Sequence, residues 1–126
     1  MAVSSKKKIK KIVSEGIAHI YASYNNTIVT ITDVEGNTLA WASSGSSGFK
    51  GARKSTPYSA QVAAEKASEK VKIFGLEKVS VRINGIGPGR EQSIRGLYMS
   101  GLDITGIIDI TPVPHNGCRK RRVRRV

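Results

Sequence analysis

The sequence predicts a single α/β domain: a five-stranded mixed sheet with packed helices, in the order β-β-β-α-β-α-β, with basic extended arms at both termini. Three observations lead there. From Gly16 to Ser43 polar and apolar residues alternate and β-branched and aromatic types abound, which suits strands. Beyond Ser55, helical apolar spacing twice precedes a further alternating run. Cationic residues crowd the two ends, leaving a nearly neutral body whose length fits one domain.

The first strand is expected at Ile17–Tyr24, followed by a turn at Asn25-Asn26, two residues that tolerate left-handed backbone. Thr27–Thr32 returns as the second strand, Asp33-Val34-Glu35-Gly36-Asn37 reads as a hairpin loop, and Thr38–Ser43 completes an antiparallel meander. A glycine- and serine-rich loop then turns cationic towards Lys54. Thr56 reads as the N-cap of the first helix and Pro57 as its first residue, where a missing N–H costs nothing. Ala60, Ala63, Ala64, Ala67, Val71 and Phe74 recur on one helical face, and Gly75 is placed to end it. So much alanine implies close packing on the sheet. Val79–Asn84 alternates as the fourth strand, with Val79, Val81 and Ile83 to one side. After the loop Gly85-Ile86-Gly87-Pro88-Gly89, Arg90–Ser100 has helical offsets at Ile94, Leu97 and Tyr98. Leu102–Asp109 supplies the fifth strand, and Pro112 and Pro114 then forbid regular structure. The two strand-helix-strand crossovers set neighbouring strands parallel. Boundaries follow: a basic N-terminal arm at 1–14, a globular domain at 15–111 and a basic tail at 112–126.

The formal charge is +12. Lys6, Lys7, Lys8, Lys10 and Lys11 occupy one end and Arg119, Lys120, Arg121, Arg122, Arg124 and Arg125 the other, whereas residues 12–118 balance ten basic against all nine acidic side chains. Runs of like charge repel one another, so the arms are expected to order only on a polyanion. The lone Cys118 has no internal disulfide partner. No segment has membrane-spanning length or a signal-peptide core, so a soluble intracellular chain without a membrane partner is expected.

Several motifs narrow the chemistry. Gly48-Phe49-Lys50-Gly51-Ala52-Arg53-Lys54-Ser55 nearly matches a phosphate loop, but Arg53 stands at the required second glycine and would obstruct the backbone cradle. Lys50, Arg53 and Lys54 instead suit a nucleic-acid backbone just ahead of a helix N-terminus. The loop from Gly85 to Gly89 lacks dinucleotide spacing. Its glycines allow close approach of a ligand, with Arg90 and Arg95 near the opening. The element order also suits the ribonuclease-H-like fold, whose nucleases cluster carboxylates around metal ions. Here the first strand has none, and Asp33, Asp109 and Glu91 do not assemble a cluster. His19, His115 and Cys118 are too few for a closed zinc site. No catalytic residue, metal, cofactor or small-molecule substrate is expected. Trp41, Tyr21, Tyr24 and Tyr58 read as packing residues, Trp41 because it alternates with Leu39, while Phe49 in its glycine loop is free for external contact. In Asn116-Gly117 the unhindered glycine nitrogen can attack the asparagine amide, giving a succinimide whose hydrolysis yields aspartate or isoaspartate.

These residues carry a resemblance that spans nearly the whole chain. Ala18-His19 with Asn25-Asn26-Thr27-Ile28-Val29-Thr30, Gly48-Phe49-Lys50-Gly51 with Arg53-Lys54-Ser55-Thr56-Pro57, Ala60-Gln61-Val62-Ala63-Ala64-Glu65, Gly87-Pro88-Gly89-Arg90-Glu91, and Asp109-Ile110-Thr111-Pro112 through Pro114-His115-Asn116-Gly117-Cys118-Arg119 closely resemble the family of small-subunit ribosomal protein eleven, in its bacterial and organellar form. The chain departs from the family at its short lysine-rich N-terminal arm and at Lys120–Val126, which lacks two prolines often found there. The resemblance implies a non-catalytic ribonuclease-H-like domain on the platform of the small subunit. It implies binding to 16S-type rRNA near the exit-site path of messenger RNA, beside protein partners six, seven, eighteen and twenty-one. The compartment is then the cytoplasm, in the ribosome, or the equivalent organelle compartment. RNA contacts are expected from Asn25, Asn26, Phe49, Lys50, Arg53, Lys54, Ser55, Gly87, Gly89, Arg90, Arg95, His115, Asn116, Arg119, Lys120, Arg121 and Arg122, and from Lys6, Lys7 and Lys8 of the arm. Two alternatives from other classes are a catalytically degenerate nuclease and a free-standing nonspecific nucleic-acid binder.

Overall fold

Alternation becomes strand structure from Glu15 onward. The computed structural model describes residues 12–125, so Lys6, Lys7 and Lys8 lie outside the described residues. β1 (Glu15–Ala22), β2 (Thr27–Asp33) and β3 (Thr38–Ser43) form the antiparallel meander, and α1 (Pro57–Val71), β4 (Lys78–Asn84), α2 (Arg90–Met99) and β5 (Asp103–Asp109) follow. The five-stranded sheet has the order β3-β2-β1-β4-β5, with β4 parallel to both β1 and β5. This is the mixed α/β sheet that the sequence predicts. Among the described residues no helix is long and apolar enough to cross a membrane.

Register builds the core. Ala18 lies opposite Ile31 and Val81, and Ile31 opposite Ala40; Ile20 lies opposite Val29 and Ile83, and Val29 opposite Ala42. Ala18, Ala40 and Ala42 therefore lie beside the larger Ile31, Val81 and Val29, and these residues, Ile20 and Ile83 are all buried. Ala60, Ala63, Ala64 and Ala67 let α1 settle on this layer. α2 lies beside α1 on the same face, so close that a Cβ on Gly96 would strike the Gln61 carbonyl oxygen and Ala64. Burial of each Val or Ile side chain here contributes about 1.5–3 kcal/mol. A slip of one residue would turn the whole set outward, so the pattern also fixes the register.

Some boundaries differ from expectation for local reasons. β1 ends at Ala22 because Ser23 closes the turn: its N–H donates to the Asn26 carbonyl at 2.9 Å, and its Oγ accepts from the Asn26 N–H at 3.1 Å. Tyr24 is therefore at the exposed tip of the turn rather than in the strand. At α1 the Thr56 Oγ1 accepts from the Ser59 N–H at 3.2 Å, the expected cap. The helix stops at Val71, and Lys72–Phe74 tighten into a 3₁₀ turn before Gly75 at φ 76°. Phe74 thus leaves the α1 face but still packs, partly buried, on the core.

The sheet face opposite the helices has no helical cover among the described residues. Trp41 lies there, 53% exposed, and this corrects the expectation that it joins the core. The alternation in β3 turns Ala40 and Ala42, not Trp41, towards α1, while Leu39, half-buried at a shift in register, still packs against the core. In one row across the strands Trp41 faces Thr30, Thr30 faces His19, and His19 faces Arg82. His19 Nε2 lies 3.3 Å from the Thr32 hydroxyl; partial burial first, and the nearby Arg82 second, hold its pKa below the usual imidazole value.

Candidate nucleic-acid interface

The register brings distant loops to one end of the sheet. Ala22 pairs with Thr27 and Ile83 with Asp109, so the β1–β2 turn, the loop after β4 and the start of the C-terminal tail share that end. The loop after β3 joins them, since the Ser44 N–H donates to the Thr27 carbonyl at 3.0 Å. Both helices begin here as well: Gly89, the N-cap of α2, lies against Thr27 and Ala60 near the start of α1. Two helix N-termini consequently point their partial positive charge the same way. The chain enters from the far end, where the Val13 N–H donates to the Phe74 carbonyl at 2.9 Å.

In the loop between β3 and α1, Lys50 and Arg53 are exposed, and Lys54 and Ser55 are half-buried. Residues Gly51–Ser55 form a 3₁₀ turn with its cations in the last turn, against the N-terminus of α1. Phe49, expected to face outward, is half-buried with its ring 5.8 Å from that of Tyr58 at 85°, an edge-to-face pair. Asn25 is exposed at the tip of the β1–β2 turn. Asn26 is committed to the turn itself, its Oδ1 accepting from the Thr27 N–H at 2.9 Å.

The loop after β4 packs against the β1–β2 turn. Gly87 and Gly89 are buried, and the close approach their missing side chains permit is to this chain's own backbone. A Cβ on Gly85 or Gly87 would strike the carbonyls of Ala22 and Ser23, and one on Gly89 would strike Thr27. Arg90 likewise faces inward. Its guanidinium donates to the Gly85 carbonyl and, at 2.6 Å, to the Asp109 carboxylate. The other Asp109 oxygen accepts from the Thr111 hydroxyl at 2.6 Å and the Thr111 N–H at 3.0 Å, while the Gly85 N–H donates to the Thr111 hydroxyl at 3.0 Å. The Arg90 hydrogen bond first and the Thr111 bonds second hold the Asp109 carboxyl well below the usual carboxylate range. This latch, absent from the sequence reading, fixes where the tail leaves the domain; the Asp109-Ile110-Thr111 spacing ahead of Pro112 was its only signal. Arg95 stands apart, exposed further along α2 beside β5 rather than at the loop.

The tail is exposed and irregular from Pro112 to Arg125, presenting His115, Arg119, Lys120, Arg121 and Arg122. Asn116 has φ 60°, a left-handed conformation that asparagine tolerates. Asp33 and Asp109 sit at opposite ends of the sheet, since Asp33 pairs with Gly16. Asp33 is bound into its own hairpin, accepting from the Glu35 N–H at 3.0 Å and the Asn37 N–H at 2.9 Å. The strand-end carboxylates therefore serve turns and a latch.

The fold and this end together define a class: a helix-backed α/β binding domain that presents cations from one loop and one tail. Residues 16–125 match the family model described as Ribosomal protein S11. The small ribosomal subunit protein uS11 of Buchnera aphidicola subsp. Cinara cedri is 63% identical over 121 residues, which cover 96% of this chain and 93% of that one. The protein of the same name from Nitrosococcus oceani is 62% identical over 98% of this chain and 97% of its own length. That of Stenotrophomonas maltophilia is 58% identical over 99% and 97%. The chain belongs to the ribosomal protein S11 family. It is a structural protein of the small ribosomal subunit and not an enzyme; it resides in the ribosome, in the cytoplasm, with rRNA and ribosomal proteins as its partners.

Proposed function

We propose that this protein binds small-subunit rRNA on the platform, near the exit-site path of messenger RNA and beside proteins six, seven, eighteen and twenty-one, and so supports subunit assembly and translation. The observation that carries this reading is the convergence at one end of the sheet of the Lys50–Ser55 loop, the Asn25 turn, two helix N-termini and the root of the tail. Lys50, Arg53, Lys54, His115, Asn116, Arg119, Lys120, Arg121 and Arg122 meet phosphates and sugars there, and each cation that neutralises a phosphate releases condensed counterions. Gly87, Gly89, Arg90 and Asn26 act indirectly, by holding the loops in register. Residues 1–14 and 112–126 serve as arms on the 15–111 domain, with Lys6, Lys7 and Lys8 as further RNA-binding residues.

Cys118 is the sole cysteine and is exposed in the tail, which gives the test. Iron–EDTA tethered to its sulfur in assembled small subunits is expected to cleave rRNA of the platform close to the exit-site path. Cleavage confined to another region of the subunit would overturn the placement.

A further inference from the structure

β5 closes the sheet on one side, with β4 as its only strand neighbour among the described residues. Natural edge strands are blunted by charge, proline, a bulge or cover; β5 shifts register once near its start, between Ile104 and Gly106, yet Gly106-Ile107-Ile108 beyond the shift has no charge or proline, and no described element lies along its outer edge. Its side chains also depart from the pattern of a one-sided edge. Ile107 and Ile108 project to opposite faces and are 54% and 50% exposed. A strand apolar on both faces has the composition of an inner strand, with cover on either side. On the helix side, Ile94, Tyr98 and Met99 of α2 and Ile104 and Ile107 of β5 line an open cleft of about 630 Å³. Tyr98 and Met99 on its rim are 68% and 62% exposed.

Charge selects the occupant. Glu91 and Arg95 stand at the cleft, Asp103 is exposed at the start of β5, and Asp109 at its end is already paired with Arg90. The cleft itself is therefore neutral to acidic on a chain of net charge +12, and the exposed cations nearest β5, Lys78 and Arg82 of β4, pair in register with Asp103 and Ile108 on the face away from the helices. A polypeptide suits the cleft better than a phosphate backbone. Main-chain groups along an open edge supply affinity, alternate side chains filling an apolar groove supply specificity, and a flexible Met99 adapts to what enters. We propose that the edge of β5 and the α2–β5 cleft receive an extended segment of a neighbouring ribosomal protein, added as a sixth strand. That segment has apolar residues at alternate positions and Lys or Arg beside them to meet Glu91 and Asp103. The inference rests on membership of a multiprotein particle and not on which residues touch RNA.

The test places photoreactive benzoylphenylalanine at Ile107 in the full chain, assembled into small subunits in cells. The expected product is a crosslink to one other subunit protein that resists RNase and maps to an extended segment. A crosslink to rRNA, a crosslink to a second copy of this chain, or none would overturn the proposal. Unsubstituted protein gives a second readout: amide exchange across residues 103–110 is expected to slow on passing from free protein to assembled subunit, and unchanged exchange would count against strand addition. In the Ile107→Lys variant, rRNA affinity of the free protein is expected to hold within about twofold, while affinity for the crosslinked neighbour falls about thirtyfold, the scale of one interface hot spot. Unchanged occupancy of every neighbour, or a loss of rRNA affinity instead, would sink the idea without touching the proposed RNA-binding end.

Discussion

In the loop before α1, Gly48 and Gly51 take φ of +100° and +61°, and a Cβ on either would meet nothing within 4 Å; in the loop before α2, a Cβ on Gly85 or Gly87 would run into the backbone of Ala22 and Ser23. The first loop uses glycine to turn in open solvent and sends Lys50 and Arg53 outward. The second uses glycine to lie flat against the β1–β2 turn and sends Arg90 inward to Asp109. Similar composition therefore produces two unlike parts, one that offers charge and one that holds the end of the sheet together. What separates them is the neighbour: the second loop has another turn beside it, and the first does not.

Breaking that comparison starts with backbone. Gly87→Ala is expected to lower unfolding free energy by about 3 kcal/mol or more, since two main-chain segments must separate, whereas Gly48→Ala costs about 1–2 kcal/mol for its left-handed backbone alone. Urea denaturation of both variants checks this, and a larger loss at Gly48 would reverse the assignment. Substituting Lys50 and Arg53 together by Ala should leave stability within about 0.5 kcal/mol but flatten the slope of log rRNA affinity against log salt by about 0.7–0.9 for each phosphate no longer neutralised. Filter binding across a salt series reads that slope, and an unchanged value would remove the first loop from the interface.

A smaller effect sharpens the role of the second loop. The Asp109 carboxyl is depressed in the folded state, so the stability it confers is fully present above the unfolded carboxylate value of about 3.9 and is lost as pH falls through its lower folded value. The Thr111 amide resonance should therefore hold its position on acidification to about pH 4 and move only below it. Asp109→Asn should abolish that movement, and a shift at neutral pH would show that the latch is not formed. The smallest predicted change is covalent. Attack of the Gly117 nitrogen on the Asn116 side-chain amide expels ammonia, and water opens the succinimide to isoaspartate. Isoaspartate-selective labelling with peptide mass spectrometry on assembled particles is expected to find it, and an intact amide throughout would refute the prediction.

The succession of strands and helices was legible because Ala18, Ile20, Val29, Ile31, Val79 and Val81 alternate cleanly and α1 is marked by Thr56, Pro57 and its alanines. Trp41 was not. Hydrophobicity names the buried face only when the uncovered face is polar, and here the face without helices carries large exposed rings, Trp41 and Tyr21. Arg53 and Lys50 could be read as outward cations from their glycine-rich surroundings, but the partner of Arg90 could not, because Asp109 reaches it only through the pairing of β4 with β5. The same pairing carries Arg95 to the β5 side of α2 and leaves the apolar edge of β5 open, a feature that alternation within one strand cannot reveal.

The parallel pairing of β1 with β4 has a consequence for how the chain is made. The central pair of the sheet joins a strand near the start of the chain to one that follows α1, so the β1–β3 meander emerges during synthesis with one edge unpaired and its apolar face bare. Closure waits for non-local contacts, which slow folding in proportion to the loops they must close. Until β4 arrives, β1 is an open template for another chain. The longer that closure takes, the longer the bare apolar face and the open edge of β1 are exposed to aggregation.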